Sequence, residues 1–201
     1  MLILSCEEKD ILNAVDALKR DEVVAYPTET VYGLAVNPFS EKAIDNLFKV
    51  KGREEDKPVL LVIGKLEMLD NLVASVSQIA WKCIEKFWPG PLSLLFNPSV
   101  NLSPKLCGTT GKVCIRWSSH PVSQKLSLMF GNAITSTSAN RSGEPPAKSV
   151  SELTKLEGVS IAIDGGILQS TQVSTIFDPD TCKIIREGCI KKEEILKVIS
   201  D

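Results

Sequence analysis

The sequence has a single histidine, His120, and no pair of cysteines at C-x-x-C spacing. Its six cysteines, at 6, 83, 107, 114, 182 and 189, are scattered. Cys107/Cys114 and Cys182/Cys189 share a spacing of seven, wider than the close ligand pairs of zinc sites. Reduced thiols packed as small hydrophobes are expected instead. No apolar run reaches bilayer length. The start, MLILSCEEKD, lacks a basic n-region and has too short an apolar stretch for a signal peptide. A cytoplasmic protein with no membrane association is expected. An excess of positive charge is also missing: 23 Lys and Arg face 25 Asp and Glu, for a net charge of −2. That argues against nucleic-acid binding through bulk charge and leaves only a local basic patch. Neither glycine-rich phosphate motif is present. Gly108–Lys112 (GTTGK) is followed by Val113, and its first glycine is too close for G-x-x-x-x-G-K-[ST]; no G-x-G-x-x-G occurs. Any nucleotide site must be built another way. Without repeats, low-complexity tracts or long linkers, the 201 residues are expected to form one domain, 1–201.

What is there alternates strands with helices. Ser5 and Glu8 make an S-x-x-E capping box ahead of Ile11, Leu12, Val15 and Leu18 at helical spacing. Val23–Tyr26 is a short buried strand stopped by Pro27. Ser40 is an N-cap for a helix whose apolar face is Ala43, Ile44, Leu47 and Phe48. Val59–Ile63 is a continuous apolar run, expected of a strand covered on both faces. Helices are predicted at about 65–72, 76–87, 121–130 and 150–156, and another from about Lys191. Strands are predicted at Leu92–Phe96, Val113–Trp117, from 133 towards 140, and at Ser160–Asp164, Ser174–Phe177 and Lys183–Arg186. This is an α/β pattern with a largely buried mixed sheet, in which ligands gather at the carboxyl ends of strands.

Four stretches could carry chemistry. Residues 133–143, AITSTSANRSG, open as a core strand and then turn to hydroxyls and an amide. On a continuing strand Ile134, Ser136, Ser138 and Asn140 would share one face, offering donors and acceptors to a phosphate or carboxylate. The same composition suits a strand running into an Asn/Ser/Gly turn. Lys51 and Arg53 flank Gly52 between a helix and a strand. They could meet a polyphosphate, or be a solvated helix end capped by glycine. Thr28, Glu29, Thr30 and Tyr32 bring polar groups to the end of the Val23–Tyr26 strand, either for a ligand or for their own turn. Arg116 sits inside an apolar strand, which is costly unless it pairs with an internal carboxylate or a ligand's. His120, just before a helix, is expected to be a satisfied turn histidine rather than a base.

Together these segments resemble the YrdC/TsaC family of L-threonylcarbamoyladenylate synthases, from about Ile11 to Gly188. The family's K-x-R and S-x-N appear as Lys51-Gly52-Arg53 and Ser138-Ala139-Asn140. They stand in order with PTETVYGL at 27–34, KP at 57–58, FWPGPL at 87–92, STI at 174–176 and REG at 186–188. The resemblance implies a YrdC-like twisted mixed sheet flanked by helices, with a large concave ligand groove. It implies a nucleotidyltransferase that joins L-threonine, bicarbonate or CO2 and ATP into threonylcarbamoyl-AMP, releasing pyrophosphate. Proteins of the TsaD/TsaB/TsaE type then carry the threonylcarbamoyl group to the tRNA adenosine next to the anticodon. In that scheme Lys51 and Arg53 are catalytic. Lys51, Arg53, Ser138, Asn140, Ser174 and Arg186 bind ATP, and Thr28, Thr30, Tyr32, Arg116 and Ser136 bind threonine. Mg2+ arrives with ATP rather than on protein ligands.

Two departures stand out. Ile115-Arg116-Trp117-Ser118-Ser119-His120-Pro121 replaces the commoner V-R-x-P-x-H-P, putting Ser118 where proline is usual. Glu54 stands where proline often follows K-x-R. Longer members carry an extra C-terminal domain, and the chain resembles the short bacterial type. The alternatives are a non-catalytic RNA-binding or ribosome-maturation module, and a carbamoyl-adenylate module like that of hydrogenase-maturation carbamoyltransferases. The sequence lacks the acylphosphatase and cysteine-rich zinc segments that accompany the latter.

Overall fold

The computed structural model describes residues 1–52, 57–170 and 172–200. Eleven strands and five helices are placed among them, in the order β1 (Leu2–Leu4), α1 (Glu8–Lys19), β2 (Val23–Tyr26), β3 (Gly33–Ala35), α2 (Glu41–Lys51), β4 (Leu60–Ile63), α3 (Gln78–Phe87), β5 (Leu92–Phe96), β6 (Val113–Trp117), α4 (Pro121–Phe130), β7 (Ile134–Thr135), β8 (Thr137–Ser138), β9 (Val159–Ile163), β10 (Thr175–Asp178), β11 (Lys183–Arg186) and α5 (Lys192–Ser200). The mixed sheet is divided in two. One sheet runs β1-β9-β2-β3-β8 and the other β11-β10-β5-β6-β4-β7. Each combines parallel and antiparallel pairs: β2 and β9 are parallel, β2 and β3 antiparallel, β4 and β6 parallel, β5 and β6 antiparallel.

The strand expected to run from 133 towards 140 breaks at Ser136. Its first part, β7, pairs with β4 in one sheet, and its second, β8, pairs with β3 in the other. The hydroxyls make this crossing possible. Thr135 Oγ1 donates to the Leu34 carbonyl (3.0 Å) and accepts from the Val36 amide (2.9 Å), so a side chain bridges the sheets where no ladder can continue. A buried backbone group left unpaired there would be costly. The Ser136 amide donates to the Leu60 carbonyl at 2.7 Å, and the Ala139 amide to the Tyr32 carbonyl at 2.8 Å.

The main core fills the space beneath the sheets with Leu34, Ile44, Leu47, Leu61, Leu94, Ile115 and Phe177. A second core packs α1 and α4 together through Ile11, Val15, Leu18, Val122 and Leu126, against Val24, Val62 and Ile134. The Ser40 cap of α2 forms as expected, its hydroxyl accepting from the Ala43 amide at 3.3 Å. The capping box at Ser5 does not. The Ser5 hydroxyl donates to Asp10 instead (2.7 Å), and α1 begins at Glu8 behind Glu7. The segments at 65–72 and 150–156 are 3-10 turns, at Leu66–Asn71 and Val150–Lys155. Strands β1 and β3 were not foreseen; three residues each are too few to show an alternation.

A half-buried ion cluster ties the start of β6 to the end of β10. Lys112 Nζ donates to Asp178 Oδ1 (2.7 Å) and Asp180 Oδ2 (2.9 Å). Burial alone would raise the Asp178 pKa, but hydrogen bonds from Lys112, Thr181 and the Asp180 amide outweigh it and hold it below its ordinary value. A depressed folded-state pKa adds stability above the unfolded value, and that stability is lost as pH falls through the folded one. Asp178→Asn should therefore cost about 1–3 kcal/mol at pH 7, seen as a lower Tm. The gap to wild type should begin to narrow as the pH falls below about 4, near the unfolded carboxyl pKa, and go on narrowing through the lower folded-state value. Thermal melts of both proteins across pH 3–7 check this, and a gap at pH 3 as wide as at pH 7 would contradict it.

Candidate active site

A cavity of about 770 Å³ opens between the two sheets. Its floor comes from β5 and β6 through Ser93, Leu95, Cys114 and Arg116, and its walls from the segments after β2, α2 and β8, the residues just before β10, and the end of β11. Of the residues singled out in the sequence, Thr28, Thr30, Tyr32, Lys51, Arg116, Ser136, Ser138, Asn140, Ser174 and Arg186 all line it. Arg53 lies outside the described residues. The described lining carries Lys51, Lys57, Arg116 and Arg186 and no carboxylate, which suits an anionic ligand.

One end is organised by Lys51. It is the last residue of α2, ahead of Gly52, which caps the helix in the left-handed conformation (φ 55°). The glycine-capped helix end weighed in the sequence is therefore real, but its lysine is not solvated. A partly exposed Lys51 was expected; the side chain is only 4% exposed. The correction has a physical cause: the 138–144 turn wraps over it. Lys51 Nζ donates to the Ser138 carbonyl (2.6 Å) and to Asn140 Oδ1 (2.8 Å), while the Lys51 carbonyl accepts from the Ser142 amide (2.9 Å). Ser138 Oγ also donates to Asn140 Oδ1, at 2.6 Å, and Asn140 Nδ2 donates to the Glu144 carbonyl. Lys51 of K-x-R and the S-x-N motif, 87 residues apart in sequence from Lys51 to Ser138, thus meet in one cluster.

At another end lie Thr28, Thr30, Arg116 and Ser136. Thr28 Oγ1 donates to the Val31 carbonyl (2.6 Å) and accepts from the Thr30 and Val31 amides (3.1 and 3.2 Å). Tyr32 Oη donates to the Gly166 carbonyl (3.0 Å) and accepts from the Gly165 amide (2.9 Å). Both hydroxyls were expected to face a ligand; both are committed to backbone instead, so these residues shape the wall. Thr30 Oγ1 accepts from Arg116 Nη1 at 3.4 Å. Ser136 lines the cavity at 6% exposure, but its hydroxyl oxygen is itself shut off from solvent and lies beside the Tyr26 phenol.

Arg116 is 2% exposed and pairs with Glu29, Nε to Oε1 at 3.5 Å. Neither of those two atoms makes a hydrogen bond among the described residues. Glu29 was noted in the sequence but not chosen as a site residue. The signal that could have found it was Arg116 itself, since a buried guanidinium demands a carboxylate.

A third part of the wall joins Ser174 and Arg186. Arg186 Nε and Nη2 fork onto the Ser174 carbonyl (3.1 and 2.9 Å), and Nη2 also reaches Ser174 Oγ (3.2 Å). Ser93 Oγ donates to Ser174 Oγ at 3.0 Å. Gly188 is required here: a Cβ on it would lie 2.1 Å from the Val173 carbonyl oxygen. The STI and REG motifs are thus two sides of one contact.

Two groups stay outside the chemistry. His120 caps α4, with Nδ1 accepting from the Val122 amide at 3.2 Å, and burial pushes its pKa down. Burial pushes the Cys114 thiol up to about 12, so it is protonated at neutral pH. All six cysteines are free thiols. Among the described residues no three His, Cys, Asp or Glu are grouped to hold a metal, and no helix is long and apolar enough to cross a membrane.

Comparison with known proteins places this geometry among relatives. The family model Sua5_yciO_yrdC, described as telomere recombination, matches residues 16–188. The chain is 34% identical over 182 residues to a threonylcarbamoyl-AMP synthase of Histophilus somni, covering 89% of this chain and all of that one. It is 35% identical over 202 residues to the Bacillus subtilis protein of the same name, covering 98% of this chain and 58% of that one. Among solved structures it is similar to Pyrococcus abyssi Sua5 complexed with L-threonine, with TM-score 0.94 and 32% identity over 99% of this chain and 61% of that one. Escherichia coli YciO shares the fold, with TM-score 0.84 at 20% identity over 96% of this chain and 98% of that one.

Proposed function

The chain belongs to the Sua5/YciO/YrdC family, and from that premise we propose that it is a threonylcarbamoyl-AMP synthase acting in tRNA modification, a nucleotidyltransferase by mechanism. The observation that carries the reading is the two-ended cavity: the Lys51–Ser138–Asn140 cluster at one end, the buried Arg116 at the other. The first end suits a polyphosphate and the second an amino acid's carboxylate.

The threonine amine captures CO2, losing a proton to form a carbamate. A carbamate oxygen attacks the α-phosphorus of ATP, the bond to the β-phosphate oxygen breaks, and pyrophosphate leaves. Negative charge grows on the phosphoryl oxygens. Lys51, fixed in place before the substrate arrives, stabilises that charge without reorganisation. Arg53 carries the second cation of the K-x-R motif. Asn140 Nδ2 keeps one N–H for a phosphate oxygen, and Ser138 fixes Asn140 by donating to its Oδ1, a contribution of orientation. Ser174 and Arg186 line the nucleotide's side. Arg116 takes the threonine, while Thr28, Thr30, Tyr32 and Ser136 form its wall. Mg2+ is read as travelling with ATP, where it neutralises phosphate charge. No covalent nucleophile is needed. The cytoplasm is the expected compartment, and a tRNA-modifying transferase of the TsaD type the expected recipient.

Pyrophosphate release from ATP should require both threonine and bicarbonate. A coupled pyrophosphate assay with each omitted in turn tests this, and equal release without threonine would overturn the reading.

A further inference from the structure

Arg116 meets Glu29 as an ion pair without a hydrogen bond. Their nearest atoms are 3.5 Å apart, and Arg116 Nε and Glu29 Oε1 make no hydrogen bond among the described residues. The carboxylate's other oxygen, Oε2, accepts instead from the hydroxyl of Ser118, the residue just after β6. Ser118 is 0% exposed and anchored from both sides: its carbonyl accepts from Gln124 Nε2 (2.8 Å), and its Oγ accepts from the His120 amide (3.2 Å). An amide has only a proton to give. With that N–H on the oxygen, the hydroxyl's own proton is directed to Glu29. The direction of the relay is therefore fixed: His120 amide to Ser118, Ser118 to Glu29, Glu29 beside Arg116. A hydroxyl donating to a carboxylate is a charge-assisted bond, stronger than its neutral counterpart.

We infer that Ser118 is a positioning residue for amino-acid recognition, holding Glu29 so that Glu29 sets the orientation of the Arg116 guanidinium in the cavity. It acts where the family more commonly has proline, which supplies no hydroxyl. The inference rests on the reading of Arg116 as the group that meets the threonine carboxylate. Because Arg116 makes one side-chain hydrogen bond among the described residues, to Thr30, its orientation depends on Glu29 for the rest. Losing the Ser118 hydroxyl lets Glu29 rotate, and the guanidinium follows. The loss falls on threonine binding, in the ground and transition states alike. Threonine KM should rise with kcat nearly unchanged.

The test is steady-state kinetics of wild type, Ser118→Ala, Glu29→Gln and the double variant, with threonine and ATP varied separately. Ser118→Ala should raise the threonine KM on the order of tenfold, as expected for losing a bond to a charged group. The ATP KM should stay within about twofold, because that substrate's contacts are untouched. On the Glu29→Gln background the Ser118 change should add little, since both act through one path. Should Ser118→Ala fail to fold, Ser118→Cys keeps the volume while weakening the donor, and should raise the threonine KM in the same selective way. An unchanged threonine KM, an equal rise in both KM values, or a full Ser118 effect on the Glu29→Gln background each overturns the inference. Failure of the underlying function is read separately: wild type would then form no adenylate from threonine.

Discussion

Replacing Lys51 by methionine should lower threonylcarbamoyl-AMP turnover by ~10²–10³, the usual cost of removing one preorganised donor from a developing negative charge. Methionine retains the length of the stem, so the space in the last turn of α2 stays filled while the charge goes. The substitution also has a structural cost. Lys51 is buried and bonds the Ser138 carbonyl and Asn140 Oδ1, and those acceptors lose a partner at about 1–3 kcal/mol. For a chain of this size each kcal/mol lowers Tm by about 2–4 °C. The assay therefore belongs well below the variant's own Tm. If activity recovers to near wild type at low temperature, Lys51 serves the 138–144 turn and not the chemistry. If turnover stays down while the protein is fully folded, the catalytic role stands.

Arg116→Lys should weaken threonine by tens of fold, a share of what truncating a buried, paired charge costs. Lysine keeps the charge opposite Glu29 but has no planar fork, so it cannot meet a carboxylate with two parallel bonds. Serine should weaken by the same factor, because the substitution touches the carboxylate that both amino acids share. Wild type should itself prefer threonine over serine by roughly 10–200-fold, the worth of one methyl group in an apolar pocket. ATP affinity should be nearly unchanged, since Lys51, Ser138 and Asn140 are not disturbed. Competition between threonine and serine in both proteins measures these ratios directly. Lost ATP binding with an unaltered threonine constant would put Arg116 at the wrong end of the cavity.

The residues that make these predictions differed greatly in how visible they were in the sequence. Arg116 was legible because a cation inside VCIRW needs an internal carboxylate or a ligand's, and the structure shows it buried and paired with Glu29. The partner was harder to read: Glu29 sits in a run of threonines whose composition fits an ordinary turn. Long helices and the central strands were legible from their periodicity and length, as α4 and β5 show. The break at Ser136 was not, because the change of sheet depends on which strands lie on either side, and no local pattern records that. The hydroxyl run carried a signal of a different kind: each hydroxyl replaces a contact that a ladder would have supplied. Thr28 and Tyr32 were correctly brought to the cavity, but the direction of their hydroxyls follows from the 165–166 backbone and the 28–31 turn, which only the folded chain brings near. Ser174 and Arg186 were legible through resemblance alone, since nothing near either residue announces a contact 12 positions away.

The central claim is that one cavity joins an amino acid, inorganic carbon and a nucleotide. The measurement that tests it most directly is mass spectrometry of the products formed from ATP, Mg2+, L-threonine and carbon-13-labelled bicarbonate. The account expects threonylcarbamoyl-AMP carrying the label, with one pyrophosphate released for each adenylate and neither formed when threonine is omitted. An adenylate without the label, or AMP and pyrophosphate made at the same rate with no threonine present, would contradict it.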